Sequence, residues 1–338
     1  MRRWFELLAL AAGLAALTAL CWRFGFSEIA AALRRVSPRY LLVYLAFGAT
    51  ARLGYALRWW YVARTLGAPP PFPRFIAARL AGDATGCLLP TGRLSGDPLR
   101  AGLVCGDGVR GSQASAGVAI DRIIETLGNM LSAVAYVTVF SLTRAGGTDR
   151  ATLILIVTMS MLLAALAIPL EMLRRGRRPL EPLYRLVSRY GSNTRWVAWT
   201  GTLQRTEEHV MRFFREHRGV FIRGLIGSLV IEGLIIGEYH FLLSTFGVVV
   251  TLPTLLMTLL ASGLSRVVPT PAGLGALEAG QVTAYAVAAG QPAMGFVVAL
   301  VLRLHETLWT SVGLMALALQ GSGWAWLRGA LSTGELTS

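Results

Sequence analysis

The sequence predicts an all-α integral membrane protein with about six transmembrane helices and two re-entrant broken hairpins. Three observations predict it. Of the 338 residues 54% are hydrophobic and only 15% are charged, with a mean hydropathy of +0.56. Several apolar runs approach the ~20 residues that a helix needs to cross a ~30 Å hydrocarbon core. The runs are rich in leucine and alanine and lack the strict alternation of a membrane barrel strand, so they read as helices.

The runs lie near 5–22, 40–57, 116–142, 151–170, 220–246 and 294–319. The first follows Arg2 and Arg3 like a signal peptide, but no small-x-small cleavage site comes after it, so it reads as a helix that stays. Residues 23–39 contain SEIAAALRRVSP and read as a short interfacial amphipathic helix. Regions 74–112 and 253–290 are apolar in pieces, each interrupted by proline, glycine or charge. Such pieces are too short to span and suit hairpins that enter and leave by one face. Irregular backbone is tolerated at that depth only where it is buried in protein or lines a wet cavity. A single membrane domain therefore divides into 1–39, a first repeat 40–142, a linking helix and basic loop 143–219, a second repeat 220–319 and a tail 320–338.

Arginine sets the orientation. All 32 basic residues are arginine, and residues 172–218 hold eleven of them against four glutamates. That loop is expected in the cytoplasm, which places both termini inside a bacterial cytoplasmic (inner) membrane. As a charge run the loop is first a topology determinant and a solvated face; attraction to anionic lipid is the functional alternative. Nucleic acid is not an expected partner, because the arginines lack interleaved aromatics and a soluble domain to carry them. Trp59, Trp60, Tyr61, Trp324 and Trp326 sit at span ends, where the interfacial belt accounts for them. Cys21, Cys87, Cys105 and four histidines show no metal or disulfide spacing, no nucleotide-binding motif is present, and no cofactor is called for.

Residues 88–100, LLPTGRLSGDPLR, have a weaker echo in VVPTPAGLGALE at 267–278. At a shift of 181 residues Gly82 falls on Gly263, Pro90 on Pro271, Gly92 on Gly273 and Asp97 on Glu278. The same shift sets Arg122 on Arg303, Glu125 on Glu306 and Thr126 on Thr307. With the arginine-based topology, the first unit dips in from the cytoplasm and the second from the exterior. That is an inverted-topology repeat, whose broken segments point to a substrate site near the midplane.

Charge inside a span is costly and calls for a partner or a cavity. Arg122 and Glu125 share a helix face, as do Arg303 and Glu306. Pairing that only pins the helices competes with a functional role for the two glutamates, whereas guanidinium groups match phosphate oxygens. Arg93 and Arg100 flank SGDP, where Gly92 and Gly96 let the chain turn and a helix starting after Pro98 would aim its positive end. The Gly92–Gly96 spacing equally suits close helix packing. The second hairpin keeps Gly273, Gly275 and Glu278 but lacks the arginines. Glu232 and Glu238, in the span after the basic loop, are candidates for structural pairing or for proton coupling.

The pattern P-x-G-R-x-x-G-D-x-x-R (Pro90, Gly92, Arg93, Gly96, Asp97, Arg100), then D-R at 121–122, then P-x-x-x-G-x-G-x-x-E (Pro269, Gly273, Gly275, Glu278) and Arg303 resembles the membrane region of lysylphosphatidylglycerol synthases. That flippase-like family includes stand-alone members such as hopanoid-associated membrane proteins. The resemblance covers about 35–320 and implies translocation of a polar or charged lipid between leaflets. The soluble aminoacyl-transferase domain of the bifunctional synthases has no counterpart in this sequence, so lysyl transfer is not expected.

Two functional expectations follow, with membrane lipids as the partners of both. In the first, a lipid headgroup meets Arg93, Arg100, Arg122 and Arg303 where the hairpins join, with glycines 92, 96, 273 and 275 giving them room to rock. In the second, the chain is a membrane-embedded transferase acting on a phospholipid or polyprenyl carrier, with Asp97 and Glu278 as divided acid and base. A scaffold for lipid-biosynthesis enzymes is a third reading, but it leaves the buried charges without a reason.

Overall fold

A computed structural model describes residues 37–67, 70–89, 95–105, 108–143, 150–179, 181, 194–268, 270 and 273–319. The first predicted span, the interfacial segment up to residue 36, Pro90, Gly92, Arg93 and the tail lie outside the described residues. The described chain forms ten helices. They are α1 Pro38–Ala63, α2 Phe72–Leu88, α3 Gly96–Val104, α4 Gly111–Thr143, α5 Arg150–Arg174, α6 Thr194–Glu216, α7 Arg218–Thr245, α8 Leu252–Ser265, α9 Ala276–Ala289 and α10 Pro292–Leu319.

Four of these, α1, α4, α7 and α10, are long and apolar enough to cross a bilayer. The predicted run 151–170 falls within α5. Both interrupted regions are pairs of short helices. At 1.5 Å per residue, α2 and α3 reach only ~25 and ~14 Å and α8 and α9 ~21 Å each, all short of a ~30 Å core. In each pair the two helices pack against each other. Gly96 at the start of α3 lies on the Gly82 backbone of α2, an approach that any side chain would block. α3 begins earlier than the sequence suggests, at Gly96, and takes Pro98 into its first turn, where a missing N–H costs nothing.

Contacts fix the helix directions. The Ser37 N–H donates to the Thr245 carbonyl at 3.4 Å, Gly54 faces Ile231 and Arg58 bonds Ser228, so α1 and α7 run antiparallel. Gly128 abuts Ser228 and Tyr136 bonds Glu232, so α4 runs parallel to α7. Tyr44 meets His305 and Arg52 covers Trp309, so α10 runs parallel to α1. Hence α4 and α10 are antiparallel, as are α1 and α7. Small residues allow the closest approaches: Gly313 of α10 seats on Leu80 and Ala84 of α2, and Gly237 of α7 on Phe47 of α1.

The basic loop is more than a solvated face. Within it α6 docks on the bundle, with Val210, Phe213 and Phe214 packed among Val62, Ile120, Ile124 and Leu173. Arg205, Arg212 and Arg215 occupy its outer side. Trp59 also departs from expectation. Rather than standing in an interfacial belt it is wholly buried against Phe75, with ring centroids 4.5 Å apart.

Candidate functional site

Helix α4 carries Asp121, Arg122 and Glu125 at spacings that keep the two acids one turn apart. Asp121 is fully buried and collects arginines from three helices. Arg58 Nε of α1 donates to it at 2.8 Å, an Arg79 nitrogen of α2 at 3.2 Å and an Arg100 nitrogen of α3 at 2.6 Å. Glu125 accepts from Arg58 at 3.1 Å and from both terminal nitrogens of Arg79 at 2.8 and 3.0 Å. Arg122 grips Asp97 through Nε at 2.9 Å and a second nitrogen at 2.6 Å, and reaches Glu125 at 3.4 Å. Arg79 also pairs with Asp83, one turn away, at 2.9 Å. Four arginines thus face four acids (Asp83, Asp97, Asp121 and Glu125), and the lattice is neutral. Such neutrality is what a low-dielectric site demands, because an unpaired buried charge is far costlier than a paired one.

This geometry changes the part played by Arg100. Expected beside a headgroup, it has no exposed surface; it lies over the Trp59 ring at 4.3 Å and ties α3 to Asp121. Arg122, a quarter exposed, and Asp83, about a third exposed, are the members that remain open.

The second unit repeats the smaller part of this arrangement. Arg303 of α10 holds Glu278 of α9 at 2.8 and 3.0 Å and Glu306 at 2.9 Å. It also donates to the Gly273 carbonyl at 3.0 Å. Gly273 and Gly275 have φ of +64° and +80°, so the turn into α9 needs glycine at both places. The Gly275 N–H donates to Glu278 at 2.8 Å, which completes that carboxylate's partners. Asp97 and Glu278 are each clamped by an arginine of their own unit, so neither is poised as a free acid or base.

A third cluster joins α1, α7 and α10. Glu238 is fully buried and accepts one Arg52 nitrogen on both oxygens, at 2.9 and 3.1 Å, and the Trp309 indole N–H at 3.1 Å. Gly48 makes room for it. His305 lies 3.7 Å from Glu238 and 3.2 Å from the Tyr44 hydroxyl. Glu232 is separate; it accepts the Tyr136 hydroxyl at 2.6 Å.

These clusters share one cavity of about 110 Å³, where α1, α2, α4, α7 and α10 meet the end of α8. Its charged lining is balanced: Arg52, Arg79, Arg122 and Arg266 against Asp83, Glu125, Glu238 and Glu306. Of the residues singled out in the sequence, Arg122, Glu125, Glu238 and Glu306 line it. Gly96, Asp97, Arg100, Gly273, Gly275, Glu278 and Arg303 stand behind it as supports. Arg52, Arg58, Arg79, Asp83, Arg266 and Trp309 carry equal weight and are not among the sequence candidates, and Asp121 enters there only through the D-R of the family pattern. The usable signal was the pair Arg79 and Asp83, spaced i to i+4 within an apolar helix.

A family model described as the lysylphosphatidylglycerol synthase TM region matches residues 7–326. The chain belongs to this family. Among curated proteins none matches the sequence. The lysylphosphatidylglycerol synthase TM match takes in both broken helix pairs, all four long apolar helices and every residue of the cavity. Membership brings with it a multi-pass membrane protein and a role connected with membrane lipid.

Proposed function

We propose that this chain moves a polar or anionic lipid between the leaflets of the bacterial cytoplasmic membrane, the headgroup passing through the charged cavity while the tails stay in lipid. One observation carries the reading: a cavity lined by four arginines and four acids sits where broken helices leave the bilayer core without a continuous span. Charge of this density at membrane depth serves a polar passenger, because a purely structural core would be cheaper if apolar. The antiparallel directions of α1 and α7, and of α4 and α10, support an inverted-topology repeat opening to each face in turn. The eleven arginines of the 172–218 loop support cytoplasmic termini.

Within this reading Arg122 is the first residue to test, because it faces the cavity and Arg100 does not. Gly92 and Arg93, outside the described residues, stay candidates on the sequence alone. The test is leaflet exchange of headgroup-labelled lipid in liposomes carrying the purified protein. The protein should speed exchange, and Arg122→Gln should slow it on the order of tenfold, as the loss of one charge-assisted bond of ~1.5 kcal/mol implies. Exchange at the protein-free rate for every polar lipid tried would sink the reading.

A further inference from the structure

The cavity holds four guanidinium groups, and three are already engaged. Arg52 is held by Glu238, Arg79 by Asp83 and Glu125, and Arg122 by Asp97 and Glu125. The fourth, Arg266, follows directly on Ser265, where α8 ends and the second hairpin breaks. Among the described residues no carboxylate lies within ion-pair distance of it. Its one hydrogen bond is donated to the Tyr239 hydroxyl at 3.0 Å, and its Nε is buried without an acceptor. Glu306 and Glu232 act on it only from beyond contact. Glu306 is committed to Arg303 at 2.9 Å, and Glu232 to the Tyr136 hydroxyl at 2.6 Å.

Tyr239 completes the set. Its oxygen accepts from Arg266, and among the described residues no acceptor takes its own proton. A phenol can accept and donate at once. The buried Nε–H and the Tyr239 O–H are therefore donors without an acceptor among the described residues, side by side at the cavity. Arg266 as a whole is half-buried, but its Nε–H is buried, and a buried donor on a cation is costly until an acceptor joins it. The fork geometry favours a tetrahedral oxyanion with two oxygens on one edge.

We propose that Arg266, with Tyr239, is the anchor for a phosphate group in the central cavity, and that the phosphate is the phosphodiester of a lipid headgroup. The assignment of the source rests on the translocation reading; the anion site itself rests on the donors. The engaged arginines hold the walls, and Arg266 holds the passenger.

The test uses the full chain purified in detergent. Dihexanoyl phosphatidylglycerol, inorganic phosphate and dihexanoylglycerol, which lacks phosphate, are titrated separately. The wild type should bind the phosphatidylglycerol and not dihexanoylglycerol. Arg266→Gln should weaken binding about tenfold or more and Tyr239→Phe a few-fold, the usual worth of a charge-assisted and a neutral hydrogen bond. Arg223→Gln, on the opposite part of α7 beside Tyr61, should leave binding unchanged. If Arg266→Gln does not fold, Arg266→Lys keeps the charge and loses the fork, and binding should fall several-fold.

Binding by Arg266→Gln or Arg266→Lys within twofold of the wild type would overturn the anchor, as would a wild type that binds neither phosphate compound. Inorganic phosphate bound as tightly as the lipid, and lost in Arg266→Gln, would overturn the lipid source. Leaflet exchange measured in parallel separates the two ideas. Binding without exchange counts against translocation alone, and wild-type exchange by Arg266→Gln counts against the anchor alone.

Discussion

The two broken-helix units carry the same triad and differ in nearly everything around it. Asp97, Arg122 and Glu125 in the first correspond, 181 residues on, to Glu278, Arg303 and Glu306 in the second, with the same pairings. Around the first triad stand Arg58, Arg79, Arg100 and Asp121. The same shift puts Tyr239, Leu260, Gln281 and Leu302 in their places. Where Arg100 ties α3 to α4 by charge, Gln281 ties α9 to α8 by two neutral bonds, to the Thr258 carbonyl at 3.0 Å and the Ser262 hydroxyl at 2.9 Å. The first hairpin is bolted to α4 by charge through Arg79, Asp97 and Arg100, and the second is held to α10 by Arg303 and otherwise by apolar packing. If the units move against each other, the second is the softer one.

The largest expected effect falls on the bolt. Asp121→Ala leaves Arg58, Arg79 and Arg100 crowded together with only Asp83, Asp97 and Glu125 to share. Breaking a buried ionic cluster on one side costs about 3–5 kcal/mol. Denaturant unfolding of the purified protein in detergent should show a loss in that range. A loss below ~1 kcal/mol would mean that the lattice does not lock the first hairpin, and the contrast between the units would fall.

The contrast also explains what could be read from the chain and what could not. The breaks were legible because proline and glycine act locally: PTGRLSGDP and PTPAGLG interrupt helix wherever they occur. Half of each triad was legible, because the 181-residue shift shows the Arg122–Glu125 and Arg303–Glu306 spacing twice; the clamps on Asp97 and Glu278, 25 residues earlier, emerge only when the short helices pack. The bolt was not legible. Arg58 ends a predicted span and Arg79 sits in the first interrupted region, and only the packing of α1 and α3 on α4, with α2 on α1, brings both side chains to Asp121. Arg266 was hidden for the opposite reason, since its distinction is the absence of a partner, which sequence spacing does not reveal. Arg100 stood out in a conspicuous motif, yet the indole of Trp59 and the carboxylate of Asp121 enclose it.

The shared triads supply a smaller and more symmetric test. Arg122→Gln and Arg303→Gln remove three and four charge-assisted bonds, respectively, from partly solvated groups. Each should cost about 1.5–3 kcal/mol, the value of hydrogen bonds to charged groups. The two losses should agree within about 0.5 kcal/mol and add in the double variant, because the triads share no partner. A double variant much less destabilised than the sum would show the triads coupled through the cavity and would weaken the picture of two separate clamps.

The smallest effect carries opposite signs in the two units. Gly82 of α2 and Gly263 of α8 correspond under the repeat, but a methyl group at Gly82 would meet the Arg100 side chain and the Gly96 carbonyl, whereas at Gly263 it would meet nothing within 4 Å. Gly82→Ala should therefore destabilise by about 1–3 kcal/mol through overpacking of α2 on α3. Gly263→Ala lies in ordinary helix with open space and should stabilise by about 0.5–1 kcal/mol, since alanine loses less backbone freedom on folding. Paired thermal unfolding curves in one detergent would read both signs. A loss at Gly263 comparable to that at Gly82 would mean that α8 packs as closely as α2 in the state that dominates in solution. The second hairpin would then be bolted too, by contacts that its neutral side chains conceal.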